Sequence, residues 1–114
     1  MTTLYGISNC DTVKKARQWL EQNGIDYRFH DFRKDGLDQA RVQGWVEQLG
    51  WETLVNKRST TWKELDDASK AGLNADTAAA LVTANPTLIK RPLLEHDNHT
   101  GVGFKAADYD AIFG

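Results

Sequence analysis

The sequence predicts an α/β fold in which a strand–helix–strand half and a strand–strand–helix half are joined by a helical insert at about 37–88. The 114 residues fit one domain. Three observations predict this. The N-terminal part passes from a short β-like run through a helical pattern to an alternating run within about 30 residues, the span of a βαβ unit. The middle of the chain breaks into several helical pieces. The last part holds two short strand-like runs around a polar turn, then a helical ending.

Thr3-Leu4-Tyr5 has β character and leads through Gly6 into a polar loop with Ser8 and Asn9. Asp11 to Asn23 reads as a helix, with Val13, Ala16 and Leu20 at 3.6-residue spacing, Trp19 at the edge of that face, and Gly24 as the stop. Asp26 to Asp31 alternates, Tyr27 and Phe29 against Arg28 and His30, and is expected to lie parallel to the first strand through a right-handed crossover. Arg33-Lys34-Asp35-Gly36 is a turn. Asp38 is a fair N-cap for a helix through Leu49 that buries Val42, Trp45, Val46 and Leu49. Trp51 to Val55 and Thr61 to Leu65 read as single helical turns flanking the polar loop 56–60, and the pair Asp66-Asp67 as a solvated loop. Asn74 or Asp76 can cap a helix through Ala84 with Ala78, Leu81 and Val82 inward, stopped at Asn85-Pro86. Leu93 and Leu94 start a third strand ending near His96. A turn at 97–100 then gives an antiparallel fourth strand from Gly101 to Phe104, completing a mixed four-stranded sheet. Ala106 to Phe113 closes the chain as a helix with Tyr109, Ile112 and Phe113 inward.

A net charge of −2 gives no global basic field for nucleic acid. The N-terminus carries no basic-then-apolar secretory pattern, and no apolar stretch has the length to span a bilayer. The single cysteine excludes an internal disulfide and a CxxC pair, and fits a reducing cytoplasm. That residue, Cys10, stands where a helix begins, and the orphan N–H groups of a helix start favour a thiolate. Lys14, one turn on, and Lys15 act in the same sense, and Asp11 opposes them if its carboxylate faces the sulfur. A lone cysteine otherwise packs as a small hydrophobe. The strand–loop–helix setting turns the reading towards a nucleophilic or redox thiol. His30, His96 and His99 read as surface or packing residues, because no carboxylate or cysteine pattern around them forms a metal site. Trp19, Trp45, Trp51 and Trp62 read as core or half-buried packing.

Four blocks resemble one family. They are Leu4-Tyr5 through Cys10 with Lys15-Ala16-Arg17 and Trp19-Leu20-Glu21; Arg58-Ser59 with Trp62-Lys63-Glu64-Leu65; Asn85 to Leu93, NPTLIKRPL; and Val102-Gly103-Phe104 before the final helix. Together, in this order, they are similar to the arsenate-reductase/Spx (ArsC/Spx) family of the thioredoxin-like fold, over nearly the whole chain. Within it, Cys10-Asp11-Thr12-Val13-Lys14-Lys15 is most similar to the small YffB-type bacterial proteins, described as glutathione-dependent thiol reductases.

The resemblance implies roles. Pro92 would be the cis-proline that precedes the third strand and faces the active cysteine in thioredoxin-like folds; a trans proline at a strand start is the ordinary alternative. Arg58 and Arg91 match two of three arginines that gather around the thiolate and oxyanion in the arsenate reductases. Lys105 stands at the third position, a point charge in place of a bidentate fork. The histidine those enzymes carry just before the cysteine is absent from Gly6-Ile7-Ser8-Asn9. The implied activity is thiol or disulfide reduction by Cys10. Lys14, Arg58, Arg91, Pro92 and Lys105 would bind glutathione or another anion. Glutathione would be co-substrate, glutaredoxin a partner, with no bound cofactor or metal, in a cytoplasmic monomer. Arsenate reduction coupled to glutathione and glutaredoxin is a second reading. The third is Spx-like binding to RNA polymerase, without the disulfide switch that Val13 rules out at the second CxxC position.

Overall fold

The computed structural model describes residues 2–114. Strands β1 (Thr2–Gly6), β2 (Arg28–Asp31), β3 (Leu93–His96) and β4 (His99–Val102) form one mixed sheet in the order β2-β1-β3-β4. β1 runs parallel to β2, with Leu4 opposite Phe29 and Gly6 opposite Asp31. It runs antiparallel to β3, with Tyr5 opposite Leu93, and β3 pairs antiparallel with β4, with Leu93 opposite Val102. These directions bring the chain after Gly6, after Asp31, before Leu93 and after Val102 to the same end of the sheet. The helices are α1 (Asp11–Gln22), α2 (Gln39–Leu49), α3 (Trp51–Leu54), α4 (Thr60–Glu64), α5 (Asp67–Ala71), α6 (Ala78–Ala84) and α7 (Ala106–Phe113). Among the described residues no helix is long and apolar enough to cross a membrane.

The chain divides into two compact units. Unit 1 comprises the residues up to Gly36 together with Arg91–Gly114 and holds the sheet, α1 and α7. Its core is Leu4, Ala16, Leu20, Leu94 and Tyr109, with Trp19, Ile25, Tyr27, Phe29, Phe104, Ile112 and Phe113 packed around it. The 3.6-residue spacing of Val13, Ala16 and Leu20 is what turns one face of α1 inward, and all three are buried. Trp19 meets Tyr109 edge-on, with ring centroids 5.4 Å apart, and so joins α1 to α7.

Unit 2, Leu37–Lys90, holds α2 to α6. α2 buries Val42, Trp45 and Val46, and α6 buries Ala78, Ala79 and Val82, with Leu81 only half-buried. An isolated antiparallel bridge pairs Val55 with Ile89. Beside it, the Asn56 N–H donates to the Leu88 carbonyl and the Lys90 N–H to the Leu54 carbonyl, which ties α3 to the end of the unit.

The observed elements correct the expected ones in four places. The second strand starts at Arg28 rather than Asp26, yet Tyr27 still packs on the core from the preceding loop. The hairpin is tighter than expected: Asp97 adopts φ 51°, a left-handed conformation Asp tolerates, so His96 pairs directly with His99 and β4 begins there. Gly103 then turns out of the sheet at φ 82°, which leaves Phe104 outside the strand. The acidic pair 66–67 is no open loop: the Asp66 carboxylate accepts the Ser69 N–H at 2.7 Å and starts α5. Finally, α6 begins only at Ala78, because Asn74 organises a turn that accepts N–H groups from Asp76 and Thr77, and Pro86–Leu88 continues past the stop as a 3-10 turn.

Candidate active site at the thiol loop

The loop between β1 and α1 is built from both ends. Gly6 closes β1 where a side chain has no room: a Cβ there would stand 2.7 Å from Val13 Cγ2, so α1 packs directly on the strand. Ile7 is buried, and its carbonyl accepts the Cys10 N–H at 3.1 Å, which folds Ile7 to Cys10 into a turn. Cys10 occupies the N-cap of α1 with extended backbone, φ −90° and ψ 126°, and its carbonyl accepts the Lys14 N–H at 3.0 Å. The thiol is free and partly exposed, and it caps no backbone group of the helix. Cys10 thus stands at a helix start with access to solvent.

The topology places three more of the expected residues at this end of unit 1. Leu93 pairs with Tyr5, so Arg91-Pro92 enters the sheet where the thiol loop leaves it. The Arg91–Pro92 peptide bond is cis, Pro92 is buried and Arg91 half-buried. The Gly103 N–H donates to the Pro92 carbonyl at 2.8 Å, which holds the chain after β4 against the same proline. Two residues on, Lys105 is exposed at the N-cap of α7, where its carbonyl accepts the Asp108 and Tyr109 N–H groups. Lys14 is exposed in the first turn of α1.

Arg58 belongs to unit 2. It is exposed, and its N–H donates to Asn56 Oδ1 at 3.0 Å; Ser59, next in sequence, caps α4 by accepting the Trp62 N–H on its hydroxyl at 3.1 Å. Among the described residues, no hydrogen bond or ion pair engages the side-chain head of Lys14, Arg58, Arg91 or Lys105. Close to Arg58 in sequence, the Lys57 ammonium lies 5.3 Å from the Trp51 ring and 5.7 Å from that of Trp62.

Two of the histidines make contacts within the scaffold, and His99 is exposed. His30 is half-buried, with its Nε2 2.7 Å from the Gly36 carbonyl and its ring 4.9 Å from that of Tyr5. His96 Nδ1 lies 2.7 Å from Thr2 Oγ1.

One residue at this end was invisible to sequence reasoning. Asp31 is 3% exposed, and its carboxylate accepts N–H groups from Ser8 (3.2 Å), Arg33 (2.8 Å) and Lys34 (3.3 Å). Burial alone would raise its pKa, but the hydrogen bonds from Arg33, Ser8 and Lys34 outweigh it and hold the carboxyl below its ordinary range. The available signal was a polar residue at the inner end of a strand that runs beside the thiol strand.

The sequence model of the ArsC family matches residues 5–112. The chain belongs to the ArsC family. A Haemophilus influenzae protein described as uncharacterized is 49% identical over 99% of each chain. A solved structure described as a YffB protein is 43% identical, with a TM-score of 0.96 and all of both chains covered. An arsenate reductase (ArsC) related protein from Brucella melitensis is 46% identical with a TM-score of 0.77, over 98% of this chain and 93% of that one. The Streptococcus pyogenes global transcriptional regulator Spx is 26% identical over 98% of this chain and 84% of its own length. The relatives thus include an arsenate-reductase-related protein and a transcriptional regulator, and this chain has the thioredoxin-like fold of its structural neighbours.

Proposed function

We propose that the protein is a glutathione-dependent thiol reductase with Cys10 as its nucleophile. The observation that carries this reading is the chain's one cysteine, free and partly exposed at the N-cap of α1. Its thiolate attacks a mixed disulfide of glutathione at the glutathione sulfur. The S–S bond breaks, the substrate leaves as a thiolate, and Cys10 is joined to glutathione. A second glutathione thiolate then attacks the glutathione sulfur of that adduct, which releases Cys10 thiolate and glutathione disulfide. No internal thiol can do this, because the chain has no second cysteine. Lys14, Arg91 and Lys105 would supply positive charge for the glutathione carboxylates, with Pro92 at the same end of the sheet as the thiol loop, and Arg58 in unit 2 is a further cation to test for glutathione binding. Glutaredoxin is the expected partner for recycling, in the reducing cytoplasm this chemistry needs, and the protein works as a monomer.

Arsenate is the second substrate to test, because the Brucella relative is described as related to arsenate reductase and the motif resemblance implies anion-binding roles for Arg58 and Arg91. The experiment is NADPH oxidation coupled through glutathione and glutathione reductase. It is run with a glutathionylated substrate, and separately with arsenate plus glutaredoxin, using Cys10→Ser as the control. Turnover on the first substrate that Cys10→Ser abolishes is the expected result. Turnover on arsenate alone would reassign the protein as an arsenate reductase. Turnover on neither, together with retention of RNA polymerase from a cell extract, would support a regulator's role like that of the Spx relatives. Full turnover by Cys10→Ser would overturn the thiol mechanism.

A further inference from the structure

We propose that Asp31 is a positioning residue for the Cys10 thiol, acting through Ser8, a role that rests on the thiol-reductase reading above. The two carboxylate oxygens divide their work. Oδ1 accepts the Arg33 and Lys34 N–H groups and so holds the turn that follows β2. Oδ2 accepts the Ser8 N–H, from a loop 23 residues away. A carboxylate that only capped its own turn would need the first pair alone. The second contact reaches the loop that carries the nucleophile.

The surroundings make this contact stiff. The Asp31 backbone is opposite Gly6 in the parallel ladder, and the Phe32 N–H donates to the Gly6 carbonyl at 2.9 Å. On the other side the Asp31 N–H donates to Asp35 Oδ2 at 3.0 Å and the Asp31 carbonyl accepts the Asp35 N–H at 2.8 Å. Asp31 therefore stands on fixed backbone, two residues upstream of Cys10 by way of Ser8. Buried Ile7 and the Asp31–Ser8 contact anchor one end of the thiol turn, and the first turn of α1 anchors the other. Misplacing a reacting atom by about 1 Å can cost on the order of a hundredfold in rate, so an anchor two residues from the sulfur bears on its aim.

Asp31→Asn isolates the contact. An amide has one acceptor oxygen where the carboxylate has two. With that oxygen kept on the two donors of its own turn, the amide NH2 faces the Ser8 N–H, and only the thiol loop is released. The test compares wild type with D31N for amide exchange at Ser8, and for the rates at which Cys10 reacts with glutathione disulfide and with iodoacetamide. The disulfide reaction is stoichiometric: Cys10 thiolate takes one glutathione, the S–S bond breaks, and glutathione thiolate leaves. Folded D31N should exchange Ser8 at least about tenfold faster and react with glutathione disulfide about tenfold more slowly, with the iodoacetamide rate within about twofold of wild type. A wild-type rate with glutathione disulfide would overturn the proposal. So would an equal fall with both reagents, since that would mark a change in thiol reactivity rather than in aim. If D31N does not fold, Asp31→Glu keeps the charge but carries the carboxylate one methylene out of place for the Ser8 N–H, which Oδ2 accepts at 3.2 Å. Faster Ser8 exchange together with a fall of about twofold or more in the disulfide rate then supports the proposal, and a wild-type disulfide rate overturns it. None of these rates needs catalytic turnover, so failure of the reductase reading, seen with Cys10→Ser in the coupled assay, stays separate.

Discussion

The two units hold their candidate residues by different means. In unit 1, Cys10, Pro92 and Lys105 reach one end of the sheet because strands remote in sequence pair in a fixed register, Gly6 with Asp31, Tyr5 with Leu93, and Leu93 with Val102. In unit 2, Arg58 is set by its neighbours in sequence, through the Asn56 side chain and the Ser59 cap. The first arrangement depends on the whole core of its unit. The second depends on a few local hydrogen bonds, each worth about 1 kcal/mol.

The contrast should appear in stability, and the largest effect belongs to the register. Leu4 is fully buried between Phe29 and Leu94, and Leu4→Ala is expected to cost about 2–5 kcal/mol in urea denaturation. A cost below about 1 kcal/mol would mean that the register does not rest on this core. Gly6→Ala forces a Cβ against Val13 and should cost about 1–3 kcal/mol; a wild-type urea midpoint would show that α1 yields there. In unit 2, Ser59→Ala removes one cap and should cost about 1 kcal/mol. A loss as large as that of Leu4→Ala would erase the distinction between the two kinds of support.

Two further tests sharpen the account of unit 1. The Asp31 carboxyl titrates lower folded than unfolded, so its stabilisation is complete above the ordinary carboxylate pKa of about 3.9 and is lost as pH falls through the folded value. Wild type should therefore exceed Asp31→Asn in stability at pH 7, and the gap should close as pH falls below about 4. A gap independent of pH would place the effect in packing rather than in charge. The smallest change expected is at Tyr109, whose buried hydroxyl has no hydrogen-bond partner among the described residues and whose pKa burial raises. Tyr109→Phe removes an orphaned polar atom and should leave the melting temperature unchanged or slightly higher. A clear loss would reveal a partner for that hydroxyl.

Periodicity and punctuation made most of this legible in advance. The inward face of α1, the stop at Gly24, the Asp38 cap and the buried Val42, Trp45 and Val46 all follow from local spacing. The hairpin was misjudged because a left-handed Asp97 leaves no trace in hydrophobic pattern. Helix α5 was missed because it buries no residue, so it has no apolar stripe to read; only the Asp66 cap marks it. At the site, Cys10 declared itself by being the one thiol before a helix. Asp31 did not, because its meaning lies in a contact with Ser8 that exists only once β1 and β2 are paired.

The division into units has an optical consequence. Of the four tryptophans, Trp19 alone lies in unit 1, against Tyr109 and Phe113, while Trp45, Trp51 and Trp62 lie in unit 2. Three of the four indoles therefore report on unit 2, and Trp19→Phe leaves indoles in that unit alone. A variant that keeps only Trp19 reports the half that carries the thiol, so the melting of each half can be followed by its own light.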